Sequence, residues 1–206
     1  MQAPFIYRRP KELLMSRIDR KDQIIAAALE LFRSKGFADV STRDLAEHAG
    51  LSRSHVYHYF SDWNELRREA FVRFANEQLD EVRAPLVGVP PLEALVGFLR
   101  DCLPCTADAG WALWLDAWDE AMHDPQMAQA YLVINAQWQG MLAEVIEQGV
   151  IAGVFRCDSP RRAARQIFAM AMGYADDLML NPSTESAEAV LDEVMEVARL
   201  LLDLRA

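Results

Sequence analysis

Residues 42–60 read TRDLAEHAGLSRSHVYHYF, and the fold turns on this stretch. Taken with a helical period, Leu45 and Ala49 make a short apolar stripe behind a Ser41/Thr42 capping signal. Gly50 ends that helix, and Ser52 stands where a cap is needed for a second one running to about Tyr59. Two short helices across a tight glycine turn make the helix-turn-helix unit. The second helix presents Arg53, Ser54, His55, Tyr57 and His58, leaving Val56 and Phe60 to hold it down. A helix buried on all sides has no use for so many hydrogen-bonding side chains. A helix in the major groove of DNA does, because base edges are read by hydrogen bonds and phosphates are held by donors and cations.

Upstream, a helix over residues 17–35 carries the stripe Ile24, Ala28, Leu31 and Phe32 and stops at Gly36, with Phe37 and Val40 closing a small core. Arg8, Arg9 and Lys11 precede it as a basic, untidy arm. Downstream, Ser61-Asp62 with Glu65 opens a helix that continues to residue 82. Residues 85–91 form a proline-bounded linker, and helices follow at 91–103, 109–122, 125–152, 160–180 and 184–204, each announced by a proline or a cap. No segment alternates like a strand. The expectation is an all-α chain, with a helix-turn-helix DNA-binding domain at 17–62 and a helical ligand-binding and dimerisation domain at 63–206.

The 206 residues are 52% hydrophobic and 25% charged, which suits a folded chain with a sizeable core. A net charge of −10 argues against a nucleic-acid partner until it is divided along the chain. Residues 1–60 hold ten Lys/Arg against seven Asp/Glu, a balance of +3, and residues 61–206 hold eleven against twenty-four, a balance of −13. That is a basic head on an acidic body. With no run of eighteen apolar residues and no signal peptide, the expected place is the cytoplasm, without a membrane partner. Cys102, Cys105 and Cys157 read as reduced thiols, since the Cys102–Cys105 spacing has no strand-then-helix context and no fourth zinc ligand lies near.

The segment IIAAALELFRSKGFADVSTRDLAEHAGLSRSHVYHYFSDWNEL resembles the DNA-binding domain of TetR-type transcriptional regulators. The likeness is carried by ALELF…KGF, ST-R-D-LA and the VYHYF ending. It implies that Thr42 caps the second helix and offers its hydroxyl or amide to phosphate, with Arg43 reaching a base or phosphate beside it. Arg53, Ser54 and His55 then face base edges, while Tyr57 and His58 hold phosphates. A protein of this kind binds a palindromic double-stranded operator as a homodimer, because each subunit supplies one half-site.

In the body, Trp111, Trp114 and Trp118 fall three and four apart and share one helix face, with Asp116 and Asp119 on its flanks. Trp138, Tyr131, Tyr174, Asp176 and Asp177 come from the following helices. Aromatic faces beside carboxylates suit an organic cation, each cation–π contact giving about 0.5–2 kcal/mol. Tryptophans at this spacing equally suit a plain core. The body is also similar to the C-terminal domain of the choline-responsive betaine-pathway repressors, through W-x3-W-D-E-A, Trp138 and E-x2-E-Q-G-V-x2-G-V-F. That resemblance implies a small-molecule effector of the choline or polyamine kind. Ile167, Phe168 and Ala171, with Val190, Val194, Val197 and Leu201, make two apolar faces expected to form a four-helix dimer interface.

No reacting constellation can be assembled: G-x-S-x-G, H-E-x-x-H, phosphate-cradling and dinucleotide motifs are all missing. Neither an enzyme, a cofactor nor a metal is expected. The expected function is a ligand-released transcriptional repressor. A DNA-binding regulator controlled by a protein partner or without ligand stays open, and an all-α enzyme is the distant alternative.

Overall fold

The computed structural model describes residues 10–204, and every regular element among them is helical. The chain divides into two compact units, 1–71 and 72–206. This division falls later than the 62/63 boundary expected from sequence, because Leu66 and Ala70, on the helix that crosses it, are completely buried in the first unit.

In the first unit, α1 (Pro10–Lys35) begins before the expected residue 17, with a proline at its start; Arg8 and Arg9 lie outside the described residues. Ile24, Ala28, Leu31 and Phe32 of α1 are buried, and Phe37 packs on Phe32 with ring centroids 4.5 Å apart. Helix α2 (Thr42–His48) is capped by Ser41 rather than Thr42: Ser41 Oγ accepts from the Asp44 amide, and the Asp44 carboxylate accepts from the Ser41 amide. Thr42 is therefore the first helical residue. The buried stripe is Leu45 and Ala46, with Ala49 only half-buried.

Gly50, at φ +64°, takes the left-handed position that closes α2, and Leu51 N–H reaches back to the Ala46 carbonyl at 2.8 Å. Ser52 then caps α3 (Arg53–Val56) by accepting from the His55 amide at 3.2 Å. The regular helix is shorter than expected, but successive turns, including Tyr59 N–H to Val56 O at 3.0 Å, continue it to Phe60. Helix α4 (Trp63–Arg83) is opened by Asp62, which accepts from the Glu65 amide at 2.7 Å.

In the second unit, a short 3-10 turn (Ala84–Leu86) leads to α5 (Pro91–Asp101), α6 (Ala109–Ala121), α7 (Pro125–Ile151), α8 (Pro160–Leu180) and α9 (Thr184–Leu201). Helix α7 is the central one, packing on α5, α6 and α8, while α9 lies against α8 and α5. Its end explains one motif seen in the sequence. Gly153, at φ +73°, closes the helix and turns the chain so that Phe155 lies over Gly149, where an added Cβ would stand only 2.0 Å from the ring. Among the described residues no helix is long and apolar enough to cross a membrane.

Candidate functional site

The exposed edge of the first unit collects the residues expected to meet DNA. Val56 and Phe60, each 1% exposed, anchor the recognition segment, and Arg53, Ser54, His55, Tyr57 and His58 all point to solvent. Tyr57 Oη lies 3.0 Å from Thr42 Oγ1, which fastens the end of α3 to the first turn of α2. Arg43 Nε donates to Glu47 Oε1 at 2.8 Å, and that bond holds the guanidinium pKa above its ordinary value. A nucleic-acid phosphate would compete with Glu47 for it. Ser54 Oγ pairs with the capping Ser52 Oγ at 3.0 Å.

Tyr59 was not singled out from the sequence. Its ring sits 5.6 Å from His55 and 5.2 Å from His58, edge-on to the latter, so it sets the direction of both imidazoles. The VYHYF ending offered a signal for it, but one easily read as core.

In the second unit, an aromatic cluster spans several helices. Trp114 meets Tyr131 at 5.7 Å and Trp138 at 6.3 Å, both edge-on, and Phe74 of α4 at 6.3 Å. Trp138 continues to Phe98 at 6.1 Å, and Phe98 to Phe168 at 6.4 Å. Trp118 is 55% exposed and packs edge-on against Tyr131 at 5.4 Å. The Trp114 indole N–H donates to Gln78 Oε1 on α4 at 2.6 Å. Trp111 is half-buried on the same helix.

The candidate acids and Tyr174 differ in what they reach. The Tyr131 phenol is pushed above its ordinary pKa by burial first and by the nearby Asp176 carboxylate second. Asp176 is thus the acid on α8 whose charge is felt at the aromatic cluster. Tyr174 reaches elsewhere: its hydroxyl donates to Glu193 Oε2 of α9 at 2.6 Å. Residues two apart on a helix lie about 200° apart, so Tyr174 and Asp176 cannot face the same way. Asp119, Asp176 and Asp177 are exposed, and Asp116 is half-buried. Gln78 is thus an addition to the expected set, and Tyr174 departs from it.

A cleft of about 500 Å³ opens elsewhere in this unit, lined among others by Arg156, Cys157, Ser159, Arg162 and Asp203. Of the expected site residues only Leu201 borders it, and no aromatic side chain does. It offers no cation–π surface.

The residues expected at a dimer interface divide in two. Ile167, Phe168, Ala171 and Val194 are buried within the single chain and form its own core. Val190, Val197 and Leu201 are half-buried on α9. A helix face rich in Ile and Phe is where a subunit first buries its own area, which leaves the outer faces to any partner.

The head residues 24–70 match the family described as bacterial regulatory proteins, tetR family, and residues 91–203 match the family described as BetI-type transcriptional repressor, C-terminal. The chain belongs to the TetR family. This TetR-family repressor is 31% identical over 152 residues to the HTH-type transcriptional regulator BetI of Cronobacter sakazakii, spanning 71% of this chain and 70% of that one. The BetI of Escherichia coli O139:H28 is 30% identical over 154 residues, covering 71% and 73%. Among solved structures, a transcriptional regulator from Saccharomonospora viridis in complex with choline superposes with a TM-score of 0.75 at 22% identity, over 89% of this chain and 97% of that one. A TetR transcription regulator from Haloarcula marismortui gives 0.77 at 20% identity, over 89% and 98%. The repressor is accordingly BetI-like, and its family is one of DNA-binding regulators, not enzymes.

Proposed function

We propose that this repressor binds a palindromic operator as a homodimer and is released by a small organic cation. The observation that carries the proposal is the exposed Arg53–His58 edge, held by two buried apolar residues and braced through Thr42 and Tyr57. Arg53, Ser54 and His55 read base edges, while Thr42, Tyr57 and His58 take phosphates. Arg43 takes a phosphate once it leaves Glu47. One such edge reads one half-site, so a second copy is required. The outward residues Ala169 and Gly173 of α8, and Val190, Val197 and Leu200 of α9, supply the pairing face.

The effector site is the aromatic cluster around Trp114, Trp118, Tyr131 and Trp138. Its rings offer π faces, and Asp176 and Asp116 add negative potential. The choline bound to the Saccharomonospora viridis regulator is a ligand of this chemistry. An effector shifts the equilibrium only by its differential affinity for the two arrangements. Since Trp114 is hydrogen-bonded to Gln78 on α4, a ligand that displaces Trp114 acts directly on that helix.

The test is fluorescence anisotropy on promoter fragments selected from the organism's own genome, with choline, spermidine and a neutral metabolite added in turn. A cation should release the fragment and the neutral compound should not. Release by neutral or anionic compounds alone would overturn the effector class.

A further inference from the structure

The two central indoles of the cluster are not equivalent. Trp114 has its N–H satisfied by Gln78 at 2.6 Å. Trp138, 6.3 Å away and only 8% exposed, has an indole N–H that is buried with no hydrogen-bond partner. A buried donor left unpaired is costly, and native proteins rarely keep one without a use for it. A phenylalanine would keep an aromatic ring between Phe98 and Trp114 with no donor to satisfy.

From this we infer that Trp138 is the specificity-determining donor of the effector site, reserved for a neutral oxygen acceptor on the ligand. The inference rests on the cationic-effector reading above and narrows it. The ligand carries a compact cationic group and, a few ångströms away, a hydroxyl or carbonyl oxygen. The cation lies on the aromatic faces near Asp176, and the oxygen accepts from Trp138 Nε1. An anionic oxygen fits less well, because the negative field of the Asp176 carboxylate already reaches Tyr131 in the same cluster. A site that hydrogen-bonds its ligand also rejects the analogue lacking the acceptor, since that analogue leaves the donor buried and unpaired.

Three probes of nearly the same bulk separate the claims by calorimetry on the full chain: choline, ethyltrimethylammonium without the hydroxyl, and 3,3-dimethyl-1-butanol without the charge. Choline should bind about tenfold more tightly than ethyltrimethylammonium, the usual return of one net hydrogen bond. In Trp138→Phe the two cations should become equal. Equal affinities in the unaltered protein would overturn the donor role and leave the cationic reading standing; this comparison needs no variant, so it decides even if Trp138→Phe fails to fold. A gap that persists in a folded Trp138→Phe would assign the donor elsewhere and overturn the inference. Binding of the neutral alcohol as tightly as choline would overturn the cationic reading while supporting the donor. If neither cation binds, both fall.

Discussion

Single side chains on the recognition edge have separable roles. Arg53 is fully presented, and a bidentate arginine–guanine pair contributes about 1–3 kcal/mol of discrimination. Arg53→Ala should therefore relax preference at one base pair on a randomised operator library. Tyr57→Phe removes the hydroxyl that reaches Thr42 and that we assign to a phosphate, and should weaken all sequences alike. Unchanged isotherms for both variants would remove these assignments. Acid should act on the same surface through its caps. The Asp44 carboxyl is held below its ordinary range by the Ser41 hydroxyl and then the Ser41 amide, and Glu65 is held low by Ser61 in the same way. A carboxylate with a lowered folded pKa adds stability above its unfolded value and loses it as pH falls through the folded one. Head stability should decline below about pH 4.5, the ordinary range of these groups. Thermal melts of Asp44→Asn should show a flatter decline, and an identical slope would deny the cap its part.

Helices were legible where local chemistry fixes them. Pro91, Pro125 and Pro160 open α5, α7 and α8 as expected, because a first-turn proline has its φ preset and lacks only a donor the helix would not use. Ends were less legible. Helix α9 was expected to reach residue 204 but stops at Leu201, with Asp203 at φ +45°. The Trp114/Trp118 face followed from spacing. That Asp176 rather than Asp177 is felt at Tyr131 did not, since tertiary packing sets the rotation of α8. Nor could spacing tell that Ile167, Phe168, Ala171 and Val194 serve the subunit's own core. The α7 terminus carries its own prediction. With Phe155 lying on Gly149, Gly149→Ala overpacks a buried contact and should cost about 1–3 kcal/mol or more in urea denaturation. Adding Phe155→Leu should recover part of the loss, because the two sites couple. No shift in midpoint for Gly149→Ala would contradict the packing.

For the molecule as a whole, the account requires two copies and two half-sites. Leu200 on α9 is 82% exposed, and Leu200→Glu should weaken self-association in light-scattering measurements while leaving the monomer folded. The measurement that bears most directly on the central claim varies the operator rather than the protein. Two half-sites one helical turn apart, about 10–10.5 base pairs, face the same side of the duplex, and inserting about five more turns one of them away. The account predicts that this insertion weakens binding by about a hundredfold or more, because only one head then engages. Equal affinity for both spacings, at one chain per fragment, would contradict it.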